Sequence, residues 1–289
     1  MLDAVVESID GVRCTVGESP VWHAAEQAWY WVDIPARRIW RLDHATGAAR
    51  HWTADEMVAC IAPRAKGGLI AGMETGIFAV DLQDDGTVRA ERLAAPPELA
   101  PGMRFNDGRT DRQGRFVFGM FNQAENPKDA IGSFYRLNHD LTLERLPLGN
   151  VAIANSICFS PDGRTMYYAD SGTREIRCCD YDPVTGAIAN VRQFAPADAA
   201  PGDPDGSTID ADGYLWGTRW GAGQVVRFAP DGTVDRVLTV PAPQPTCPAF
   251  GGAGLDVLYV TSATVGLHAG QLADAPKSGG VFAQTLPVR

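Results

Sequence analysis

A unit of turn and strand recurs six times along the chain, at intervals of about 40–50 residues. Each unit has a short segment rich in aromatic and β-branched residues, which follows a polar or glycine-bearing turn and precedes a second segment of the same kind. The turns fall near residues 26, 67, 114, 163, 213 and 254, and the segments after them are Ala28–Ile34, Leu69–Met73, Phe116–Met120, Thr165–Ala169, Tyr214–Thr218 and Val257–Thr261. A repeat of this length with four strands per unit is typical of a β-propeller.

Six such units fill the 289 residues. The sequence therefore predicts an all-β fold, a six-bladed β-propeller with four-stranded blades that forms a single domain over residues 1–289. No helical period is sustained, and the 31 glycines and 20 prolines supply the turns that many blades require. A seven-bladed WD40 propeller is disfavoured because its Gly-His and Trp-Asp signatures are absent. The strand near Val5–Ile9 has no blade of its own, and we expect it to pair beside Val281–Leu286 and close the ring.

The charge pattern and the cysteines indicate which kinds of partner the protein has and in which cellular compartment it is found. The formal net charge is −10 and there is no run of Lys and Arg, so nucleic acid is not expected as a partner. Neither a secretory signal nor an apolar run of about 18 residues occurs, which predicts a cytoplasmic protein with no membrane partner. The six dispersed cysteines contain no CxxC pair and indicate buried, reduced thiols. We expect a monomer or weak oligomer.

Polar residues occupy equivalent positions in most of the repeats. Eight residues before the turn positions lie Glu18, Ala59, Asn106, Asn155, Asp205 and Thr246. The first strand of each propeller blade lines the central channel, so these side chains converge on one axis, where unpaired carboxylates repel one another. For any one of them, a turn or channel-water role is the simpler interpretation. For the set, a bound cation resolves the repulsion, and carboxylates with amide oxygens suit Ca²⁺, Mg²⁺ or Mn²⁺ in an open site.

The motifs at these positions resemble the SMP-30 (senescence marker protein 30)/gluconolactonase/luciferin-regenerating-like family. They are Gly17–Trp22 (GESPVW), Arg104–Gly108 (RFNDG), Asn155–Ser156, Pro204–Gly206 (PDG), Cys247–Gly252 (CPAFGG) and Gly279–Phe282 (GGVF). The resemblance covers essentially the whole chain and implies a six-bladed propeller with metal-dependent lactonase activity. It implies that Glu18, Asn155 and Asp205 are the metal ligands. It also implies that Asn106 lies beside the metal or substrate, and that the Arg104 guanidinium holds substrate oxygens.

The activity implied is hydrolysis of an aldono-1,4- or 1,5-lactone to the open-chain aldonic acid. One divalent ion (Ca²⁺, Zn²⁺, Mn²⁺, Mg²⁺ or Fe²⁺) is expected to polarise the lactone carbonyl and activate water. The candidate catalytic residues are Asp205, Asn106 and Arg104, with Asp205 as the general base and Glu18 as a pure ligand. Water activated by the metal alone is the alternative to a separate base.

Substrate contacts are less defined, because the segment Gly119–Asn126 departs from the Gly-Thr-Met and acidic pattern of the family. Glu125 or Gln123 is expected to take the acidic role, and Trp220 to stack on a sugar face. Asp170 ends the second strand of the fourth unit and is expected to face the same mouth. A phosphotriesterase-like hydrolase, which an aromatic mouth would favour, and a non-catalytic metal-stabilised binding propeller are the alternative functions.

Overall fold

The computed structural model describes residues 3–4, 7–9, 11–124 and 126–286 of the chain. These residues form six antiparallel sheets arranged as a ring, with four strands in five of them and a short fifth strand added to the other. The chain is therefore a six-bladed β-propeller with four-stranded blades, which confirms the predicted fold class. The blades are numbered I to VI in chain order.

Two short strands, β1 (Asp3–Ala4) and β2 (Glu7–Ser8), precede the first complete blade. Blade I contains β3 (Gly17–His23), β4 (Ala28–Asp33), β5 (Arg38–Asp43) and β6 (Ala49–Thr53). Blade II contains β7 (Val58–Pro63), β8 (Leu69–Met73), β9 (Ile77–Leu82) and β10 (Val88–Ala94). Blade III contains β11 (Met103–Thr110), β12 (Phe116–Asn122), β13 (Phe134–Leu137) and β14 (Leu143–Arg145).

Blade IV contains β15 (Ala154–Phe159), β16 (Thr165–Asp170), β17 (Ile176–Tyr181) and β18 (Ile188–Ala195). Blade V contains β19 (Asp203–Ile209), β20 (Leu215–Trp220), β21 (Gln224–Phe228) and β22 (Val234–Thr239). Blade VI contains β23 (Pro245–Gly251), β24 (Val257–Ser262) and β25 (Phe282–Thr285), with β2 as its fourth strand. A 3₁₀ turn follows β16 at Ser171–Thr173, and a short helix, α1 (Ala269–Asp274), lies between β24 and β25.

The six segments predicted from the repeat are the second strands of the six blades, with bounds that differ by at most two residues. In blades II to V the turn before the second strand places a glycine in the left-handed region, with φ between 70° and 87° at Gly67, Gly114, Gly163 and Gly213. Glycine has no Cβ and adopts this conformation without strain. The periodic glycines of the sequence therefore mark the same turn in successive blades.

The first strand of every blade contacts the first strands of both neighbouring blades, so six inner strands surround a central channel. Each inner strand also has an irregularity in its pairing to the second strand, at or just after the position eight residues before the turn. A β-bulge changes the direction in which side chains project. The same bulge in all six blades therefore directs equivalent residues towards one axis.

The N-terminal segment closes the ring as expected. Strand β2 pairs antiparallel with β25, and the Ile9 N–H donates to the Val281 carbonyl at 2.9 Å. Residues Val5 and Val6 of the predicted strand lie outside the described residues. Strand β1 pairs in parallel with β22 of blade V, a contact that the sequence analysis did not predict.

Deleting residues 1–9 is expected to lower the melting temperature by about 5 °C or more, because it exposes the edge of β25 and removes the join between the chain ends. Differential scanning calorimetry and light scattering would measure the loss of stability and the expected aggregation. A deletion of residues 1–6 keeps β2 and serves as the matched control. Equal melting temperatures for the 1–9 deletion and the full chain would contradict this assignment of ring closure.

The core lies between neighbouring blades. Trp29 of blade I stacks on Tyr259 of blade VI with ring centroids 3.8 Å apart, and Phe134 of blade III packs edge-on against Tyr168 of blade IV. All six cysteines are buried and free, as predicted. The short helix α1 differs from the expectation of an all-strand chain. Within the described part of the chain, no helix has the length and apolar character needed to cross a membrane.

Candidate functional site

One end of the central channel opens into a cavity of about 1000 Å³. Its walls include the predicted metal ligands and catalytic residues and the predicted stacking residue: Glu18, Arg104, Asn106, Asn155, Asp205 and Trp220. Gln123, the alternative to Glu125 as a substrate contact, also lies on this wall. Glu125 itself lies outside the described residues. Side chains from blades I, III, IV and V are thus brought to one cavity.

Two serines hold the bulges that carry the polar side chains. Ser19 and Ser156 follow Glu18 and Asn155 and have φ values of 51° and 58°, in the left-handed region that non-glycine residues rarely adopt. The Ser19 N–H donates to the Glu18 carboxylate, with 2.7 Å between N and Oε2. The Ser156 hydroxyl donates to the main-chain oxygen of Asp205 at 2.6 Å, which ties blade IV to blade V beside the cavity.

The carboxyl groups of Glu18 and Asp205 lie within reach of each other and are only 6% and 8% exposed. Neither takes part in the ion pairs formed by the described residues. Burial, followed by the charge of Asp107, raises the pKa of Glu18. Burial, followed by the charges of Glu18 and Asp107, raises the pKa of Asp205. Such a pair favours protonation or a compensating cation.

The two asparagines form one hydrogen-bonded group beside these carboxyls. The Asn106 amide donates from Nδ2 to Asn155 Oδ1 at 3.1 Å and to the Ala154 carbonyl at 2.9 Å. The Asn155 amide donates from Nδ2 to the Ser171 hydroxyl at 2.8 Å, and this hydroxyl donates to the Pro204 carbonyl. Because the Asn155 nitrogen is already bonded to Ser171, its Oδ1 is the atom presented towards Asn106 and the site.

Arg104 is fixed by both hydrogen bonds and an aromatic ring. Its Nη1 donates to Asn106 Oδ1 at 2.8 Å and to the Phe105 carbonyl at 2.6 Å, and its guanidinium carbon lies 4.1 Å from the centre of the Phe121 ring. Lys128 Nζ lies 4.9 Å from the same ring centre. Burial lowers the pKa of Arg104 to about 10, which leaves the guanidinium charged at neutral pH. Phe121 and Lys128 line the cavity and were not predicted from the sequence.

Asp107 is a buried carboxylate that the sequence analysis also missed. It is 2% exposed; its Oδ2 accepts from the Ile157 N–H at 2.7 Å, and its Oδ1 has no hydrogen-bond partner among the described residues. Burial raises its pKa. The motif Asn106–Gly108 could have indicated Asp107. A bulge directs two consecutive residues towards the inside of the ring, and the count of eight residues selected only the first of them.

Asp170 lies on the cavity wall, as expected, but both of its carboxylate oxygens accept hydrogen bonds from backbone N–H groups. Oδ2 accepts from the Ala152 N–H at 2.8 Å and Oδ1 from the Ile153 N–H at 3.1 Å, which fixes the segment entering β15. Asp33 does the same in blade I, accepting from the N–H groups of Thr15 and Val16. An aspartate at the end of the second strand therefore positions the segment that leads into the inner strand.

The donors in the cavity are hard oxygen atoms. Within residues 3–4, 7–9, 11–124 and 126–286, no group of three or more His, Cys, Asp or Glu side chains is placed to hold a metal ion. The set at the channel end consists instead of the carboxylates of Glu18 and Asp205 and the amide oxygens of Asn106 and Asn155. Carboxylate and amide oxygens are suitable ligands for a divalent cation, and the uncompensated carboxylate pair fits one.

Comparison with known proteins gives a consistent set of relatives. The profile described as "SMP-30/Gluconolactonase/LRE-like region" matches residues 16–264. The chain is 48% identical to L-arabinolactonase of Azospirillum brasilense over 275 residues, covering 94% of this chain and 89% of the relative. It is 36% identical to 6-deoxy-6-sulfogluconolactonase of Pseudomonas putida, covering 94% and 92% of the two chains.

Solved structures agree with these sequence relatives. The crystal structure of a calcium-binding protein, regucalcin, from Agrobacterium tumefaciens superposes with a TM-score of 0.91 at 30% sequence identity. The match covers 99% of this chain and 95% of that one. The similarity therefore extends over the whole ring of blades.

Proposed function

Because the chain belongs to the SMP-30/gluconolactonase/LRE-like family, we propose that it is a lactonase that hydrolyses a sugar lactone to the open-chain aldonic acid with the help of one divalent cation. The observation that carries the proposal is the buried pair of Glu18 and Asp205 at the end of the channel, neither of which forms an ion pair with another described residue. Two such carboxylates are costly to bury without a cation. The lactonase names of the relatives support the reaction class.

In the proposed site, Glu18, Asn155 and Asp205 hold the cation, and Asn106 lies close enough to contact the cation or the substrate. Oxygen donors of this kind accept Ca²⁺, Mg²⁺, Mn²⁺ or Fe²⁺ and permit Zn²⁺. When bound, the cation supplies Lewis acidity to an ester carbonyl and acidifies a water molecule. The calcium-binding description of the Agrobacterium relative makes Ca²⁺ the first ion to test.

The side chains of the protein then perform the remaining steps. Asp205 is the proposed acceptor of the proton of the attacking water, and water activated by the metal alone is the alternative. Arg104 donates hydrogen bonds to substrate oxygens, including the oxygen on which negative charge develops. Asn106, whose amide hydrogens go to Asn155 and Ala154, holds Arg104 through its Oδ1. As the bond between the carbonyl carbon and the ring oxygen breaks, the leaving ring oxygen takes up the proton removed from the attacking water. The Phe121 and Trp220 side chains cover the bound sugar and limit its contact with bulk water.

The wall of the large cavity is largely apolar, with the aromatic rings of Phe121 and Trp220, and polar side chains are placed among these apolar groups. Arg104, Gln123, Asn126, Lys128 and Asp203 contribute polar groups. A sugar lactone offers several hydroxyl groups to donors and acceptors of this kind. We infer an aldono-1,4- or 1,5-lactone as the substrate.

The test is metal reconstitution. The protein is stripped with a chelator, reloaded singly with Ca²⁺, Mg²⁺, Mn²⁺, Zn²⁺ or Fe²⁺, and assayed by proton release on a panel of pentono- and hexonolactones. Hydrolysis that requires an ion and prefers a lactone supports the proposal. Activity only on an added phosphotriester would favour the phosphotriesterase alternative, and ion binding without hydrolysis of any ester would favour a binding propeller.

Replacing Phe121 with leucine is expected to raise KM for the preferred lactone about five-fold with little change in kcat. The reason is the loss of about 1 kcal/mol of cation–π attraction that holds Arg104 in place. Steady-state kinetics measure both constants. Phe121→Tyr keeps the aromatic face and serves as the matched control. A KM that is unchanged in Phe121→Leu, or raised equally in Phe121→Tyr, would show that the ring does not position Arg104.

A further inference from the structure

The opposite end of the channel contains a second, smaller cavity of about 200 Å³. Four inner strands line both cavities: β3, β11, β15 and β19. The first half of each of these strands faces the large cavity, and the second half faces the small one. On β11 the change occurs between Asn106 and Gly108, and on β19 between Asp205 and Thr208. All inner strands run in the same direction around the ring, so the two cavities lie at opposite ends of the channel. We refer to the small one as the lower cavity.

The lower cavity is cationic in an acidic protein. Arg109 and Arg112 are the only charged side chains on its wall, which has no carboxylate. Neither arginine forms an ion pair within 4.0 Å among the described residues. The buried carboxylates of Asp107 and Glu18 act on Arg109 through their charges, but both lie beyond ion-pair distance. With 35 acidic against 25 basic residues in the chain, two unpaired arginines at one cavity are unexpected.

Backbone carbonyls hold both guanidinium groups in place. Arg109 donates from Nε to the Ile157 carbonyl at 3.2 Å and from Nη2 to the Ser207 carbonyl at 3.1 Å, which bridges blades III, IV and V. Arg112 donates from Nε to the Ser160 carbonyl at 3.0 Å and from Nη2 to the Phe159 carbonyl at 2.8 Å. In both residues Nη1 has no hydrogen-bond partner within the described part of the chain. A guanidinium fixed through its other nitrogens presents the remaining donors without further ordering.

Hydroxyl groups complete the lining. Thr110 and Thr208 lie on the same wall, and their side-chain hydroxyls make no hydrogen bond to other described residues. Fixed guanidinium donors together with free hydroxyls are the groups that recognise a tetrahedral oxyanion. The volume of the cavity admits a small ion and leaves no room for a sugar substrate beside it.

We propose that the lower cavity is an anion-binding site, which takes a small inorganic oxyanion of the phosphate or sulfate class between Arg109 and Arg112. The bound anion compensates the two guanidinium charges and joins blades III, IV and V at the end of the channel opposite the carboxylate pair. This site is separate from the proposed lactonase site and takes no part in its reaction.

Isothermal titration calorimetry with inorganic phosphate, on the calcium-loaded protein at constant ionic strength, tests the proposal. We expect saturable binding of one phosphate per chain and a melting temperature that rises with phosphate concentration. Sulfate is expected to compete with phosphate, whereas chloride at the same ionic strength is not. Absence of saturable binding by both phosphate and sulfate would overturn the proposal.

Variants distinguish the lower cavity from the large one. Arg112→Gln, an exposed position, is expected to weaken phosphate binding at least ~10-fold, as expected for loss of a charge-assisted contact, and to leave lactone hydrolysis unchanged. Arg104→Gln removes the guanidinium group of the large cavity and is expected to leave phosphate affinity unchanged. Phosphate binding that survives in Arg112→Gln but is lost in Arg104→Gln would place the anion in the large cavity and refute the proposal. Failure of lactone hydrolysis alone would count against the proposed function only.

Discussion

Replacing Asp205 with asparagine is expected to lower kcat/KM for lactone hydrolysis by about three orders of magnitude, which corresponds to about 4 kcal/mol of lost transition-state stabilisation. The substitution keeps the size of the side chain and its position at the bulge of β19, but it removes one of the two negative charges and the proposed proton acceptor. Stopped-flow or pH-indicator assays at saturating metal would measure the effect.

The same variant is expected to be more stable than the parent when both are free of metal. In the parent, two buried carboxyls lie within reach of each other, and the charge of Glu18 raises the pKa of Asp205. Removing one charge relieves that repulsion. Asp203→Asn, two residues away on the same strand, is the matched control for charge; Asp203 lies on the wall of the large cavity and is half-buried, and the variant is expected to retain the metal response even if KM changes. Full activity in Asp205→Asn would refute the proposed metal centre, and lower stability of the metal-free variant would refute the charge argument.

Metal removal is expected to make the stability of the protein strongly dependent on pH. Burial raises the pKa of Glu18 from 4.5 to about 8, and the pKa of Asp205 moves in the same direction. Both carboxyls therefore keep protons in the folded state at pH values where the unfolded chain has released them. The stability contributed by the protonated pair is complete below pH 4.5 and is lost as the pH rises through about 8.

We expect the melting temperature of the metal-free protein to fall by at least about 5 °C between about pH 5.5 and about pH 8. Saturating divalent cation is expected to reduce this fall, because the cation binds the deprotonated pair and its affinity increases with pH. Calorimetry of chelated and reloaded protein measures both trends. Metal-free Asp205→Asn is the control and is expected to give a smaller slope. Equal slopes for metal-free and metal-loaded protein would contradict the assignment.

The six-bladed ring, and the residues of each first strand that face the channel, were predictable from the sequence because both depend on local signals. In four blades a glycine with positive φ lies in the turn before the second strand. In all six blades the bulge of the first strand lies at a nearly constant number of residues ahead of that turn. A count of eight residues from the turn therefore reaches the same structural position, from Glu18 in blade I to Asp205 in blade V.

The features that the sequence did not predict depend on contacts between distant or irregular segments. Phe121 and Lys128 belong to the end of β12 and the loop after it, where the chain departs from the pattern of its relatives and no repeat sets the register. The parallel pairing of β1 with β22 joins segments more than 200 residues apart. Helix α1 spans only six residues, too few for a helical period to be recognised. The paired arginines of the lower cavity are visible only once blades III, IV and V are side by side.

The pairing of β2 with β25 makes the order of synthesis relevant to the site. Strand β2 precedes the first complete blade and its partner β25 is the last strand of the ring, so the ring stays open until β25 has been translated. Glu18 and Asp205 lie on blades I and V, which flank blade VI, so their relative position is fixed once blade VI completes the ring. The repulsion between them is therefore complete only at the final step of folding. If the chain binds a divalent cation as proposed, that cation would also act as a folding cofactor at this step.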